Sequence, residues 1–235
     1  MISLALMIGI AMAAMAFTAV LMDFSLHAVG ARIRLSRQLR WRSAGAGVVV
    51  GVICVVASGL QTAPLHAAPV ILFCAIMAGL SLMDLRTAWA PDLMTGPLCL
   101  LAPFVAAALA GQAFGWGDLI QGMQIIGIAA ILWIVQCYLG MRVMPPPDAI
   151  VLIIPVYLFG LSGELSAFYT NISILMLICL RISRFRAIFA RPEVVADVES
   201  CATSADLATE TSVTAIAIAG PVLLVTLALK TLIAG

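Results

Sequence analysis

Residues 1–22 read "MISLALMIGIAMAAMAFTAVLM" and residues 23–43 read "DFSLHAVGARIRLSRQLRWRS". The first stretch carries no charged side chain, and about 20 apolar residues is the length at which a helix crosses a bilayer. The second interleaves Arg32, Arg34, Arg37, Arg40 and Arg42 with Val29, Ile33, Leu35, Leu39 and Trp41. An uncharged run closed by a burst of arginine is the pattern of a membrane span whose basic flank stays in the cytoplasm. The stretch lacks a basic segment ahead of its apolar core, so it is expected to be an uncleaved span and not a signal peptide. The arginine-rich segment suits two readings, a topogenic loop or a short basic helix lying on anionic headgroups.

The rest of the chain repeats this alternation. Of 235 residues, 64% are hydrophobic and 10% charged, with mean hydropathy +1.18, which excludes a water-soluble globule and a disordered chain alike. Twelve basic against eleven acidic residues give +1, too even a balance for a field that attracts nucleic acid. Apolar runs mark eight spans, at 2–22, 44–59, 67–83, 93–110, 119–140, 148–161, 165–180 and 213–233. Turn-rich seams such as "QTAPLH", "GQAFGWGD" and "GLSGE" separate them. The expected fold is therefore all-α, a polytopic integral membrane bundle of about eight transmembrane helices forming one domain over 1–235. Its two cytoplasmic loops are a basic one at 23–43 and a polar one at 181–212. In this topology all eleven arginines fall on one side and Lys230 on the other, so the arginine side is expected to be cytoplasmic, with both termini outside.

Several function classes find no residues to support them. Cys54, Cys74, Cys99, Cys137 and Cys179 lie inside apolar spans, Cys201 lies in a polar loop, and no CxxC pattern occurs. His27 and His66 fall on opposite faces of the membrane. A zinc site or a disulfide framework is thus unsupported. The stretch "ESCATSADLATETSVT" at 199–214 reads as a solvated connector, and no glycine-rich phosphate loop follows a strand pattern. No cofactor is implied.

With so few acids, each one at a bilayer boundary has to be accounted for, because an ionised carboxylate in lipid costs several kcal/mol. Asp23, Asp118 and Glu164 stand at span ends and can face water. Asp84 closes the third span and Asp148 opens the sixth, so both adjoin apolar helices at one membrane depth. Two carboxylates at one depth suggest a dyad in which like-charge repulsion keeps one proton shared. Two unrelated interfacial acids are the alternative.

The sequence that follows Asp84, "DLRTAWAPDLMTGP", resembles the first motif of the prepilin peptidases, the membrane-embedded aspartic proteases also called type IV leader peptidases. In that family an Asp is followed by six residues, Pro, Asn or Asp, two residues and Thr; Asp84, Pro91, Asp92 and Thr95 keep this register, and Pro97 matches a further Pro. Pro91 would hold Ala90 extended, and Asp92 would cap the next helix. The family's second motif reads Gly-x-Gly-Asp-x-Lys-Leu. Here "PPPDAIV" keeps Asp148, but Pro145 and Pro147 replace the glycines and Ile150 the lysine; Gly160 matches a glycine twelve residues beyond the Asp. A proline lead cannot copy a glycine loop, although Pro is well suited to the first positions of a helix.

The resemblance implies an inner-membrane aspartic endopeptidase that cleaves the leader of type IV prepilin-like precursors at the cytoplasmic face. Asp84 and Asp148 would be the catalytic pair, with Pro91, Asp92, Thr95 and Arg86 in support. Arg86 also has a plain topogenic reading. The short segment after the first span lacks the cysteine motifs of family members that also methylate their product, so methyl transfer is not expected. Two other readings stay open: a homologue that binds precursors without cutting them, and a small transporter or assembly subunit whose acids handle protons or cap helices.

Overall fold

The structure, a computed structural model, describes residues 2–28, 35–87, 90–140, 146–181 and 215–234. They form eight α-helices: α1 (Ile2–Ala28), α2 (Arg37–Ala57), α3 (Pro64–Thr87), α4 (Asp92–Leu109), α5 (Trp116–Tyr138), α6 (Pro146–Phe159), α7 (Gly163–Arg181) and α8 (Ala215–Ala234). A short 3-10 turn, Leu60–Thr62, joins α2 to α3. Six of the helices, α1 to α5 and α8, are long and apolar enough to cross a membrane, while α6 and α7 are shorter apolar helices. The chain is an all-α, multi-pass membrane bundle.

Its centre is α3, which packs against α1, α2, α4 and α8. Phe73, Cys74, Ile76, Met77, Leu80 and Met83 along it are fully buried. In its most apolar window 67% of α3 is buried, against 17% of α5, so α3 is the core and α5 faces outward. Most outward side chains of α5, among them Ile120, Met123, Ile131 and Ile134, are apolar, as suits a helix whose solvent is lipid, while the exposed Gln121 and Gln124 lie in its first half. Trp116 and Tyr138, both largely exposed, bracket this helix. Their separation of 22 residues corresponds to about 33 Å of helix, close to the bilayer's hydrocarbon thickness, and aromatic residues gather at such boundaries.

Small residues set the close approaches. A Cβ on Gly47 would lie 2.3 Å from the Cys74 carbonyl oxygen, and one on Gly51 would lie 2.7 Å from Ile71 Cα. These two glycines, four apart on α2, let its backbone lie against α3, the small-xxx-small arrangement that favours dispersion packing between helices in lipid. Ser43 Oγ extends the same seam by donating to the Ala78 carbonyl at 2.8 Å. Because rising numbers on α2 meet falling numbers on α3, the two run antiparallel.

The basic loop expected at 23–43 is largely helix. α1 continues to Ala28, and α2 begins at Arg37, with Ser36 Oγ accepting from the Leu39 N–H at 3.2 Å as its N-cap. Nothing in "RQLRWRS" breaks a helix, and arginine, a good helix former, carries its charge out to water on a long stem. Arg40 pairs with Asp23 and so ties α2 to α1. Arg32 and Arg34 lie outside the described residues, as does the polar loop at 181–212 apart from Arg181, which ends α7.

Candidate functional site

Asp84 sits in the last turn of α3 and is 5% exposed. Its Oδ2 accepts a 2.7 Å hydrogen bond from the backbone N–H of Ala217, in the first turn of α8. The first N–H groups of a helix have no partner within it and carry the positive end of the helix dipole, so a carboxylate brought to them from another helix is well held. Gly220 makes that meeting possible: a Cβ there would fall 1.9 Å from Ser81 Oγ, and the absent side chain lets α8 lie on α3 one turn from the bond. Ser81 meets Gly220 and Asp84 meets Ala217, so α3 and α8 are antiparallel.

Asp148 is half-buried in the first turn of α6. Pro146 and Pro147 precede it in that turn, where an N–H has no intrahelical partner to lose and φ near −65° already suits a helix. Pro145 lies outside the described residues. The glycine twelve residues on, Gly160, has φ +61° and ends α6 by donating its N–H to the Val156 carbonyl; the left-handed backbone there explains the residue type.

The two acids stand at nearly one level. Lys230 Nζ on α8 donates to the Leu158 carbonyl of α6 at 3.3 Å, so both helices end side by side. Asp148 is ten residues before Leu158 and Ala217 thirteen before Lys230, about 15 Å and 20 Å of helix. Asp84, bound at Ala217, therefore lies within roughly one helical turn of Asp148 in depth. Laterally, α4 and α8 each pack against both α3 and α6.

The remaining motif residues cluster at the start of α4. Pro91, buried and extended (φ −72°, ψ 137°), holds the N-cap position, which corrects the expectation that Asp92 would cap the helix. Asp92 is instead exposed in the first turn, where the helix dipole favours an anion. Thr95 is buried, and its hydroxyl donates to the Asp92 carbonyl at 3.3 Å. Asp92 and Thr95 line a cavity of about 400 Å³ together with Ala129, Trp133, Pro146 and Ile150. The position that would be lysine in the second motif is thus an apolar wall two residues from Asp148. Arg86, exposed in the last turn of α3, suits that helix's negative end.

Arg37, Arg40, Arg42, Arg86 and Arg181 all belong to helix ends on the Asp84 side of the bundle, and Lys230 to the opposite end. His27 closes α1 on the Asp84 side, whereas His66 Nε2 meets the Gln112 carbonyl at the other end. Among the described residues no group of three His, Cys, Asp or Glu side chains can hold a metal ion. Ser81, Ala217 and Gly220, which carry the contact between α3 and α8, have one signal in the sequence: Gly220 is the single glycine of the last span, 213–233. Chemically, the Asp84 end offers two carboxylates at one level, one anchored on a backbone N–H, beside a largely apolar cavity. Comparison of the chain with protein-family models, curated proteins and solved structures returns no match.

Proposed function

We propose that the chain is an aspartic endopeptidase of the prepilin peptidase type, a bacterial inner-membrane enzyme with Asp84 and Asp148 at the cytoplasmic face and both termini periplasmic. Its substrates are type IV prepilin-like precursors, whose short leader precedes an apolar helix. One observation carries the reading: the Asp of the first motif is buried at the end of α3, at the depth where the Asp of the second opens α6. Pro91, Asp92 and Thr95 order the return into α4, and Arg86 adds positive charge nearby.

In the reaction, the ionised member of the pair takes a proton from water as its oxygen attacks the scissile carbonyl carbon. The protonated member donates to the carbonyl oxygen. The tetrahedral intermediate collapses when the C–N bond breaks: the leaving nitrogen receives the proton first taken from water, and as the C=O bond re-forms one hydroxyl proton returns to the carboxylate that had donated. The products are a leader carboxylate and a free amine on the mature chain, with one water consumed.

A second reading has its own observation. Asp84 Oδ2 already serves as a partner for the start of α8, and "PPPDAIV" replaces the flexible loop and the lysine of the second motif. A protein built this way would hold precursors without cutting them. Coexpression with pilin-like precursors, followed by gel mobility and N-terminal sequencing, separates the two. Cleavage that disappears in both Asp84→Asn and Asp148→Asn is the expected result. Cleavage surviving either substitution would refute the pair, and precursor that copurifies uncut with the unsubstituted chain would favour the binding role.

A further inference from the structure

At the end of the bundle opposite Asp84 lies a second cavity, of about 450 Å³, bounded by the last turns of α4, α6 and α8 and the first turns of α5. It falls within the size range of small-molecule sites. Unlike the cavity beside Asp92 it is polar, and it holds opposite charges: Lys230 and Asp118 both line it, with Gln121 and Tyr157. Lys230 is the chain's only lysine. It is half-buried, donates one hydrogen bond to the Leu158 carbonyl and sits 5.3 Å from the centre of the Phe159 ring. An ammonium has three N–H donors, so capping α6 leaves two for another acceptor. Asp118 gives one oxygen to the Gly115 N–H at 2.8 Å, and its other oxygen is available to a cation. Glu164, at the start of α7, adds a further carboxylate within electrostatic reach of Lys230.

The place is as informative as the charges. Lys230 stands four residues from the end of α8, and Trp116 stands exposed at the start of α5, the level at which headgroups meet helix ends. Pro103, Ala107 and Leu109 give the cavity an apolar side. A ligand matching this combination carries an anionic group for Lys230, a cationic group for Asp118, and an apolar continuation.

We propose that this cavity binds a phosphoethanolamine zwitterion, with its phosphate on Lys230 and its ammonium toward Asp118. Two sources present that group, the headgroup of a phosphatidylethanolamine lipid and the free small molecule. A lipid uses the apolar side as well.

The test is native mass spectrometry of the full chain in detergent, titrated with phosphatidylethanolamine, with phosphatidylglycerol of the same acyl chains, and with free phosphoethanolamine. The unsubstituted protein is expected to retain one phosphatidylethanolamine with a preference of about tenfold over phosphatidylglycerol, the effect of one well-placed charge pair. Asp118→Asn keeps an acceptor for Gly115 while removing the charge, and is expected to abolish the preference. Lys230→Met should weaken both lipids about tenfold or more, and Lys230→Arg should restore binding. Free phosphoethanolamine binding as tightly as the lipid would assign the soluble source; weaker binding would assign the lipid. Equal retention of the two lipids by the unsubstituted protein overturns the proposal. So does an Asp118→Asn protein that unfolds at the unsubstituted temperature and keeps the preference. The Asp118 arm decides the matter even if Lys230→Met fails to fold through loss of its bond to α6.

Discussion

Replacing Gly220 with alanine attacks the contact on which the Asp84 site rests. The new methyl carbon would begin 1.9 Å from Ser81 Oγ, 3.2 Å from Ser81 Cβ and 3.4 Å from Met77 Sδ. Two responses are open. Ser81 can rotate its hydroxyl away and give up its 2.8 Å bond to the Met77 carbonyl, leaving a buried hydroxyl unpaired, a cost of about 1–3 kcal/mol. Alternatively α8 can retreat by about 1 Å, the scale of backbone shift for which overpacking costs about 1–3 kcal/mol. Retreat would also stretch the 2.7 Å bond between Ala217 and Asp84, one turn away. Either route predicts a loss of about 1–3 kcal/mol, a fall in unfolding temperature of roughly 2–12 °C for a chain of this size. Thermal unfolding in detergent, followed by loss of the monodisperse species, measures it. The Ser81→Ala background isolates the cause: with the hydroxyl gone only the 3.2 Å and 3.4 Å contacts remain, and more than half of the penalty should disappear. A Gly220→Ala protein as stable as the original, or an equal penalty in both backgrounds, would show that α8 does not lie on α3 at this point.

Four further expectations use the same unfolding measurement. Asp84→Ala strands the Ala217 N–H in a buried place and should cost about 1–3 kcal/mol, whereas Asp84→Asn retains an acceptor and should cost less than half of that; equal losses would argue that the bond does not form. Gly47→Ala meets backbone atoms of Cys74 and Ala75 that no rotamer change can clear, so it should destabilise by about 1–3 kcal/mol. Gly45→Ala, whose Cβ finds only Met15 Sδ at 3.5 Å, should be neutral or gain up to about 1 kcal/mol of helix propensity. Arg40→Gln breaks the pair with Asp23, whose side chain is 45% exposed, so after allowance for solvent screening the loss should stay under about 1 kcal/mol and shrink further in high salt. A salt-independent loss well above that figure would mean that Arg40 acts through packing.

The helices were legible because lipid imposes a simple rule. Every backbone polar group must be satisfied within the segment, so an apolar run of sufficient length becomes a helix regardless of its neighbours. Runs such as 2–22 and 67–83 therefore lie within α1 and α3. The ends were less legible. The arginines of the stretch from Arg37 to Ser43 look like a span boundary in the sequence, whereas a helix continues through arginines whose charges reach water. Asp92 has the side chain that suits a cap, but Pro91 is held in the extended geometry the cap position requires.

By itself the sequence determined the class of fold, the order of its helices and the four short positions, Asp84, Asp92, Thr95 and Asp148, at which polar chemistry meets apolar helix. These follow from local composition and spacing. Only the tertiary structure decided that Asp84 is bound to the start of α8 and that the Lys230 end holds a separate polar cavity. Each of those facts depends on which helices touch. In lipid, with no hydrophobic drive between helices, contact is chosen by where small residues such as Gly47, Gly51 and Gly220 let backbones close, and a single sequence does not announce which surface each of them will meet.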